Sequence, residues 1–91
     1  MKKSLKLTLT GTVHSLFFRQ FVKENADKND VRGFVRNLED GRIEIFLEGD
    51  QDSVDSVAAI CKRGPQHAQI RSSEEKIEYF QDFREFKILG I

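Results

Sequence analysis

The chain has 91 residues, enough for one hydrophobic core and too few for two, so its function must fit on a single small layered domain. Lys and Arg number 15 and so do Asp and Glu, and this formal charge of zero supplies no excess positive field to gather a long polyanion such as DNA or RNA. The single cysteine, Cys61, cannot close an internal disulfide, and with only His14 and His67 beside it a structural zinc site is not expected.

Met1 to Lys6 is basic but passes at once into an alternating pattern, without the apolar run that a signal peptide or a membrane span needs. The expected address is the cytoplasm, with no membrane partner. Eight phenylalanines without a tryptophan imply a core built largely on Phe. Leu5, Leu7 and Leu9 alternate with Lys6, Thr8 and Thr10, the period of a strand with one buried face, running to about Val13. From Phe18 the period changes: Phe18, Phe21, Val22 and Ala26 share a helical stripe, with Arg19, Lys23, Glu24 and Asp27 elsewhere on the helix. Asn29-Asp30 marks its exit. Val31 to Asn37 reads as a second strand, Asp40-Gly41 as a turn, and Ile43, Ile45 and Leu47 as the inner face of a third strand.

Asp50 or Asp52 is placed to cap a second helix in which Val54, Val57, Ala58 and Cys61 fall at i, i+3, i+4 and i+7, and Gly64-Pro65 stops it. Ala68, Ile70 and Ser72 begin a weaker fourth strand, Ser73 to Glu78 reads as its solvated end or a loop, and Phe83 to Leu89 carries a last strand with Phe86 and Ile88 inward. The order is β-α-β-β-α-β with a short extra C-terminal strand. That pattern predicts an α+β fold, the ferredoxin-like sandwich, with one mostly antiparallel sheet and both helices on one face. Strands one and two, joined by a helical crossover, must run parallel, so the loop after strand one and the end of strand two emerge at the same edge of the sheet.

Two segments meet at that edge. Gly11-Thr12-Val13-His14-Ser15-Leu16-Phe17-Phe18-Arg19 leads into the first helix, where free N–H groups and the positive end of the helix dipole favour an anion. A cation in that first turn, Arg19, works against the dipole, and a broken local rule at such a junction points to function; the plain alternative is a solvated surface arginine. Gly33 to Asn37, then Asp40-Gly41, forms the second segment, and an Asn at that place serves most simply as an Asx-turn or a loop cap. His14 and His67 read as surface or packing residues and Cys61 as a buried, inert thiol.

Together the two segments resemble the signature motifs of the acylphosphatase family. The first family motif, Gly-x-Val-Gln-Gly-Val-x-Phe-Arg, is matched by Gly11 to Arg19, and the second, Gly-x-x-x-Asn-x-x-Asp/Asn-Gly-x-Val-Glu, by Gly33 to Glu44. Glu48-Gly49-Asp50, Arg63-Gly64-Pro65 and Phe83-x-x-Phe86-x-Ile88 are further landmarks, so the resemblance spans nearly the whole chain. It implies a hydrolase of carboxyl-phosphate mixed anhydrides, and nothing in the sequence suggests more than a monomer. Arg19 and the amides of His14, Ser15, Leu16, Phe17 and Phe18 would hold the phosphoryl group, Asn37 would orient the attacking water, and no metal or organic cofactor would be required. The partners implied are a small acyl phosphate and inorganic phosphate. Two binding-module readings stand beside this one. A degenerate domain that keeps only the pocket or the scaffold would serve in ligand or protein contacts. An RNA-recognition domain shares the fold, but Arg32-Gly33-Phe34 lies on strand two, where the RNA-binding motif belongs on strand three, and the match ends there.

The chain departs from the family pattern at His14-Ser15-Leu16, which replaces Gln-Gly-Val. A Cβ at Ser15 can turn one loop amide away from the phosphate, and the loss of one such donor typically costs about 10²–10³ in kcat. Ser15→Gly is therefore expected to raise kcat at least several-fold in steady-state assays. An equal or lower kcat/KM in the glycine variant would show instead that the loop accommodates the serine.

Overall fold

A computed structural model describes residues 1–12, 16–66 and 68–90. Leu5, Leu7 and Leu9 of β1 (Lys2–Gly11) all turn to one side of the sheet, as their alternation requires, and are buried there. They share that side with Val35 of β2 (Arg32–Asn37), with Ile43, Ile45 and Leu47 of β3 (Ile43–Asp50) and with Phe86 of β5 (Phe86–Leu89). Two helices close over this face. From α1 (Leu16–Lys28) come Phe18, Val22 and Ala26, and from α2 (Gln51–Arg63) come Val54, Val57, Ala58 and Cys61. Burial pushes the Cys61 thiol up to about 12, so the group stays protonated and packs as a small apolar side chain.

The strand order is β4-β1-β3-β2-β5, with β4 spanning Ile70–Ile77. β1 and β2 are each antiparallel to β3 and hence parallel to one another, while β5 adds in parallel to the outer edge of β2. This is the ferredoxin-like β-α-β-β-α-β sandwich with an extra fifth strand. Among the described residues no helix is long and apolar enough to cross a membrane.

Several boundaries depart from the sequence expectation. β1 ends at Gly11, and Val13 lies outside the described residues. β4 continues to Ile77 although most of it is exposed, because ladder pairing with β1 from Gly11 to Leu5 holds it in place of a buried side-chain face. Asp50 occupies the cap position of α2 in extended conformation, yet its carboxylate makes no cap hydrogen bond and lies 3.4 Å from the Met1 ammonium. Asp52 sits in the first turn, where its charge suits the helix dipole. Gly64 ends α2 as expected, with a positive φ of 73° and its N–H donating to the Ile60 carbonyl at 3.0 Å.

Phenylalanine does not dominate the main core, whose buried residues are Phe18, Phe86, Cys61 and aliphatic side chains. Phe34 and Phe46 lie on the opposite face of the sheet, in register with each other and stacked at 5.7 Å, and Phe83 meets both edge-on. Phe83 belongs to a strap, residues 78–85, that crosses this second face from β4 to β5. The strap is fastened by Glu48, a carboxylate only 1% exposed. It accepts from Ser4 Oγ at 2.9 Å, from the Phe83 N–H at 2.8 Å and from the Gln81 N–H. Asp82, between the last two donors, has φ of 59°, and this left-handed residue turns both flanking N–H groups toward one anion. Lys2 Nζ over the Phe80 ring and the Glu78 N–H donating to the Ser4 carbonyl complete the attachment.

An amide in place of this carboxylate brings an NH2 group against N–H donors and removes the charge that strengthens the bonds. Glu48→Gln is expected to cost about 1–3 kcal/mol in urea unfolding. Amide exchange in residues 79–85 should accelerate first, and an unchanged midpoint with unchanged exchange would show that the strap is held by its phenylalanines alone.

Candidate functional site

Ile43 pairs with Leu9 on one side and with Asn37 on the other, so these three residues stand in one row across the sheet. The row is two strand spacings wide, roughly 10 Å. Residues in register share a face, and Leu9 and Ile43 face the helices, so Asn37 at the end of β2 faces them too. The next helix-facing position on β1 beyond Leu9 is Gly11, with φ of 152°. A Cβ there would stand 1.9 Å from the Gln69 carbonyl oxygen, so only glycine permits the backbone before β4 to come this close. The Thr12 N–H donates to that carbonyl at 2.9 Å, and the Gln69 N–H donates back to Thr12 Oγ1 at 2.6 Å. The start of the first motif is thus clamped to the sheet.

The segment reappears at Leu16, where α1 begins two residues before the periodicity change at Phe18. Leu16, Phe17 and Phe18 therefore form the first helical turn, at the end toward which a helix points its N–H groups and the positive end of its dipole. No acidic residue occupies that turn. His14 and Ser15, the other two expected members of the phosphate-binding loop, lie outside the described residues, as does His67.

Arg19 is not off the buried stripe, as its periodicity suggested, but part of it. The helix buries Phe18, Arg19, Val22 and Ala26, whereas Phe21 is only half-buried, and Arg19 is 7% exposed. Helical spacing marks which residues share a face but not where the underlying sheet ends. At the first turn, α1 reaches the sheet edge, and a long polar side chain can be enclosed there without entering the apolar layer.

Among the described residues, the buried side-chain nitrogen or oxygen atoms without a hydrogen-bond partner are Arg19 Nε and Asn37 Oδ1. A buried donor or acceptor left unpaired costs about 1–3 kcal/mol, so such atoms are retained for a reason. The turn after β2 does not use the Asn37 oxygen. The Leu38 N–H donates to the Arg42 carbonyl at 2.8 Å, the Gly41 N–H to the Leu38 carbonyl at 3.1 Å, and Asp40 Oδ1 accepts from the Arg42 N–H at 3.1 Å. The Asx-turn belongs to Asp40. The Arg42 N–H, with the guanidinium behind it, holds the Asp40 carboxyl below the usual carboxylate range. The solvated-arginine reading fails for Arg19 on burial, and the turn reading fails for the Asn37 oxygen on geometry. An unpaired donor on a cation and an unpaired acceptor at the same edge and on the same face suit a small anion and a polar molecule beside it. No three His, Cys, Asp or Glu side chains among the described residues gather closely enough to hold a metal ion.

Comparison with known proteins gives the same direction. The acylphosphatase family model matches residues 5–88. An acylphosphatase of Pyrobaculum arsenaticum is 42% identical over 85 residues, covering 91% of this chain and 90% of that protein. One from Alkalilimnicola ehrlichii is 34% identical over 98% of this chain and 100% of its own length. The crystal structure of acylphosphatase from Bacillus subtilis superposes with a TM-score of 0.91 at 27% identity, over 99% of this chain and all of that one.

The unpaired atoms give the site a signature in stability. Arg19→Met and Asn37→Leu each remove a buried polar atom that the fold leaves unsatisfied, and they are expected to hold the urea midpoint or raise stability by up to about 2 kcal/mol. A loss of more than about 2 kcal/mol in either variant would mean that the side chain supports the fold.

Proposed function

This chain belongs to the acylphosphatase family and is an enzyme that hydrolyses carboxyl-phosphate mixed anhydrides, and we propose that Arg19 binds the phosphoryl group while Asn37 orients the water that attacks it. The observation that supports these roles is the match in polarity of the two unpaired atoms. Arg19 Nε–H is a donor and fits a phosphoryl oxygen. Asn37 Oδ1 is an acceptor and fits a water O–H. The guanidinium fork can bond two phosphoryl oxygens at once, which fixes the group's orientation as well as its position.

In the proposed reaction the water oxygen bonds to phosphorus in line with the departing oxygen. The bond between phosphorus and the acyl oxygen breaks with its electron pair, releasing a carboxylate, and the proton lost by the water passes to phosphate or to solvent. A carboxylate leaves readily, so the enzyme need only hold this line and stabilise the equatorial oxygens, and no nucleophilic side chain or cofactor enters the scheme. The backbone amides of the first turn of α1, together with those of His14 and Ser15, act with Arg19 on the phosphoryl charge. In this reading the 91 residues work as one domain, a cytoplasmic monomer whose ligands are a small acyl phosphate and inorganic phosphate, without nucleic-acid or membrane partners. A main core shared by both helices and the sheet, together with a formal charge of zero, supports it.

The test is turnover of a small aryl acyl phosphate by purified protein in excess chelator, set against an alkyl phosphate monoester. The anhydride should be hydrolysed at the same rate with and without chelator, and the monoester, with its far poorer leaving group, should be nearly inert. Arg19→Ala should lose both phosphate inhibition and turnover, with Arg19→Lys a poor rescue. Asn37→Ala should lower kcat and keep phosphate inhibition. Phosphate inhibition lost in the Asn37 variant and kept in the Arg19 variant would reverse the two assignments.

A further inference from the structure

The first turn of α1 presents two large apolar side chains to solvent, Leu16 at 43% and Phe17 at 66% exposure. The buried side of this helix is supplied by Phe18, Arg19, Val22 and Ala26, so the main core does not account for either residue. A first turn ordinarily favours small polar or acidic side chains. Single exposed apolar residues need no explanation, but two in succession within three residues of Arg19 are placed where a substrate lies. Helical Cα–Cβ bonds tilt toward the helix N-terminus, so side chains at the first two positions overhang the sheet edge where Arg19 and Asn37 sit.

We propose that Leu16 and Phe17 form an apolar rim that receives the acyl group of the substrate, so that the enzyme favours aryl and bulky alkyl acyl phosphates over acetyl phosphate. The proposal rests on the roles given above to Arg19 and Asn37. In-line displacement puts the leaving oxygen on the far side of phosphorus from the water, so the acyl group points away from the Asn37 end of β2. Beneath the site Leu9 and Ile43 are fully buried among the core residues, and a close-packed interior of that kind does not readily admit an acyl group. The open route passes over the first helical turn. There a planar or branched acyl group loses apolar surface to water only if it lies on Leu16 or Phe17, whereas an acetyl group is too short to cover either ring or branch.

The test is the ratio of kcat/KM for benzoyl phosphate to that for acetyl phosphate, measured in the wild type, Phe17→Ala, Leu16→Ala and the double variant. Covering roughly 40–80 Å² of apolar surface corresponds to about a fivefold to thirtyfold change in this ratio. The ratio should fall by about that factor in the double variant, mainly through KM for benzoyl phosphate, and Phe17→Leu should retain part of it. Tyr79→Ala removes a still more exposed aromatic on the strap and should leave the ratio unchanged. Because the rim residues also contribute backbone to the phosphate-binding turn, damage there lowers both substrates together and cancels in the ratio. An unchanged ratio in the double variant, with both substrates still hydrolysed, overturns the rim and leaves the assignments of Arg19 and Asn37 intact. A wild type that hydrolyses neither substrate overturns both.

Discussion

Ile43 holds Leu9 through one ladder and Asn37 through the other, and the aim of the Asn37 side chain depends on that double pairing. A slip of one residue between β2 and β3 would turn Asn37 to the opposite face and bring Leu38 or Arg36 toward the helices. What prevents the slip is the burial of Ile43, Ile45 and Leu47 against Leu5, Leu7 and Leu9, together with a turn whose length is fixed by Asp40 and Arg42. The same alternation that forms the core therefore also sets the direction of an acceptor at its edge. Gly11 does the corresponding work on β1, where its close approach to Gln69 fixes the point from which the chain departs toward α1.

The two faces of the sheet treat buried polar groups in opposite ways. On the open face, the Glu48 carboxylate takes hydrogen bonds from Ser4, Gln81 and Phe83, and its burial ties the strap to the sheet. On the helix face, Arg19 Nε and Asn37 Oδ1 are enclosed and left unpaired. Both arrangements bury atoms that water would solvate, so burial alone does not distinguish structure from function. The distinction lies in whether the protein supplies the partner. In the roles proposed for Arg19 and Asn37, surroundings that hold two unsatisfied atoms in place spend stability to keep a binding geometry preorganised, and a substrate would recover it on arrival.

The sequence revealed the architecture because the leucine and isoleucine alternations are long and the helical stripes regular. It also revealed the edge that carries both Arg19 and Asn37, since parallel strands joined by a crossover leave no other arrangement. It did not reveal the burial of Arg19, because periodicity cannot show where a sheet stops beneath a helix. The second aromatic layer was hidden for a related reason: Phe34 and Phe46 occupy outward positions on their strands, and only the strap carrying Phe83 covers them. Residues 73–77 looked like a solvated tail because a ladder of backbone bonds leaves no trace in side-chain pattern, and Asp50 gave a cap signal that the nearby Met1 ammonium redirects. Glu48 stood within a familiar landmark, yet its three donors come from distant parts of the chain and no local spacing announces them.

The position of β1 inside the sheet bears on how the chain reaches this structure during synthesis. β1 has two neighbours, and one of them, β4, is made well after it, with Leu5 facing Ile77 and Gly11 facing Ile70. Until β4 leaves the ribosome, β1 has at most β3 beside it, and the backbone groups along its other edge remain open to water and to other chains. The clamp at Gly11 waits on the same event, since its partner Gln69 directly precedes β4. The edge that carries Arg19 and Asn37 is therefore clamped by segments more than fifty residues apart in the chain, and an emerging polypeptide is complete in sequence at both residues long before it is complete in shape.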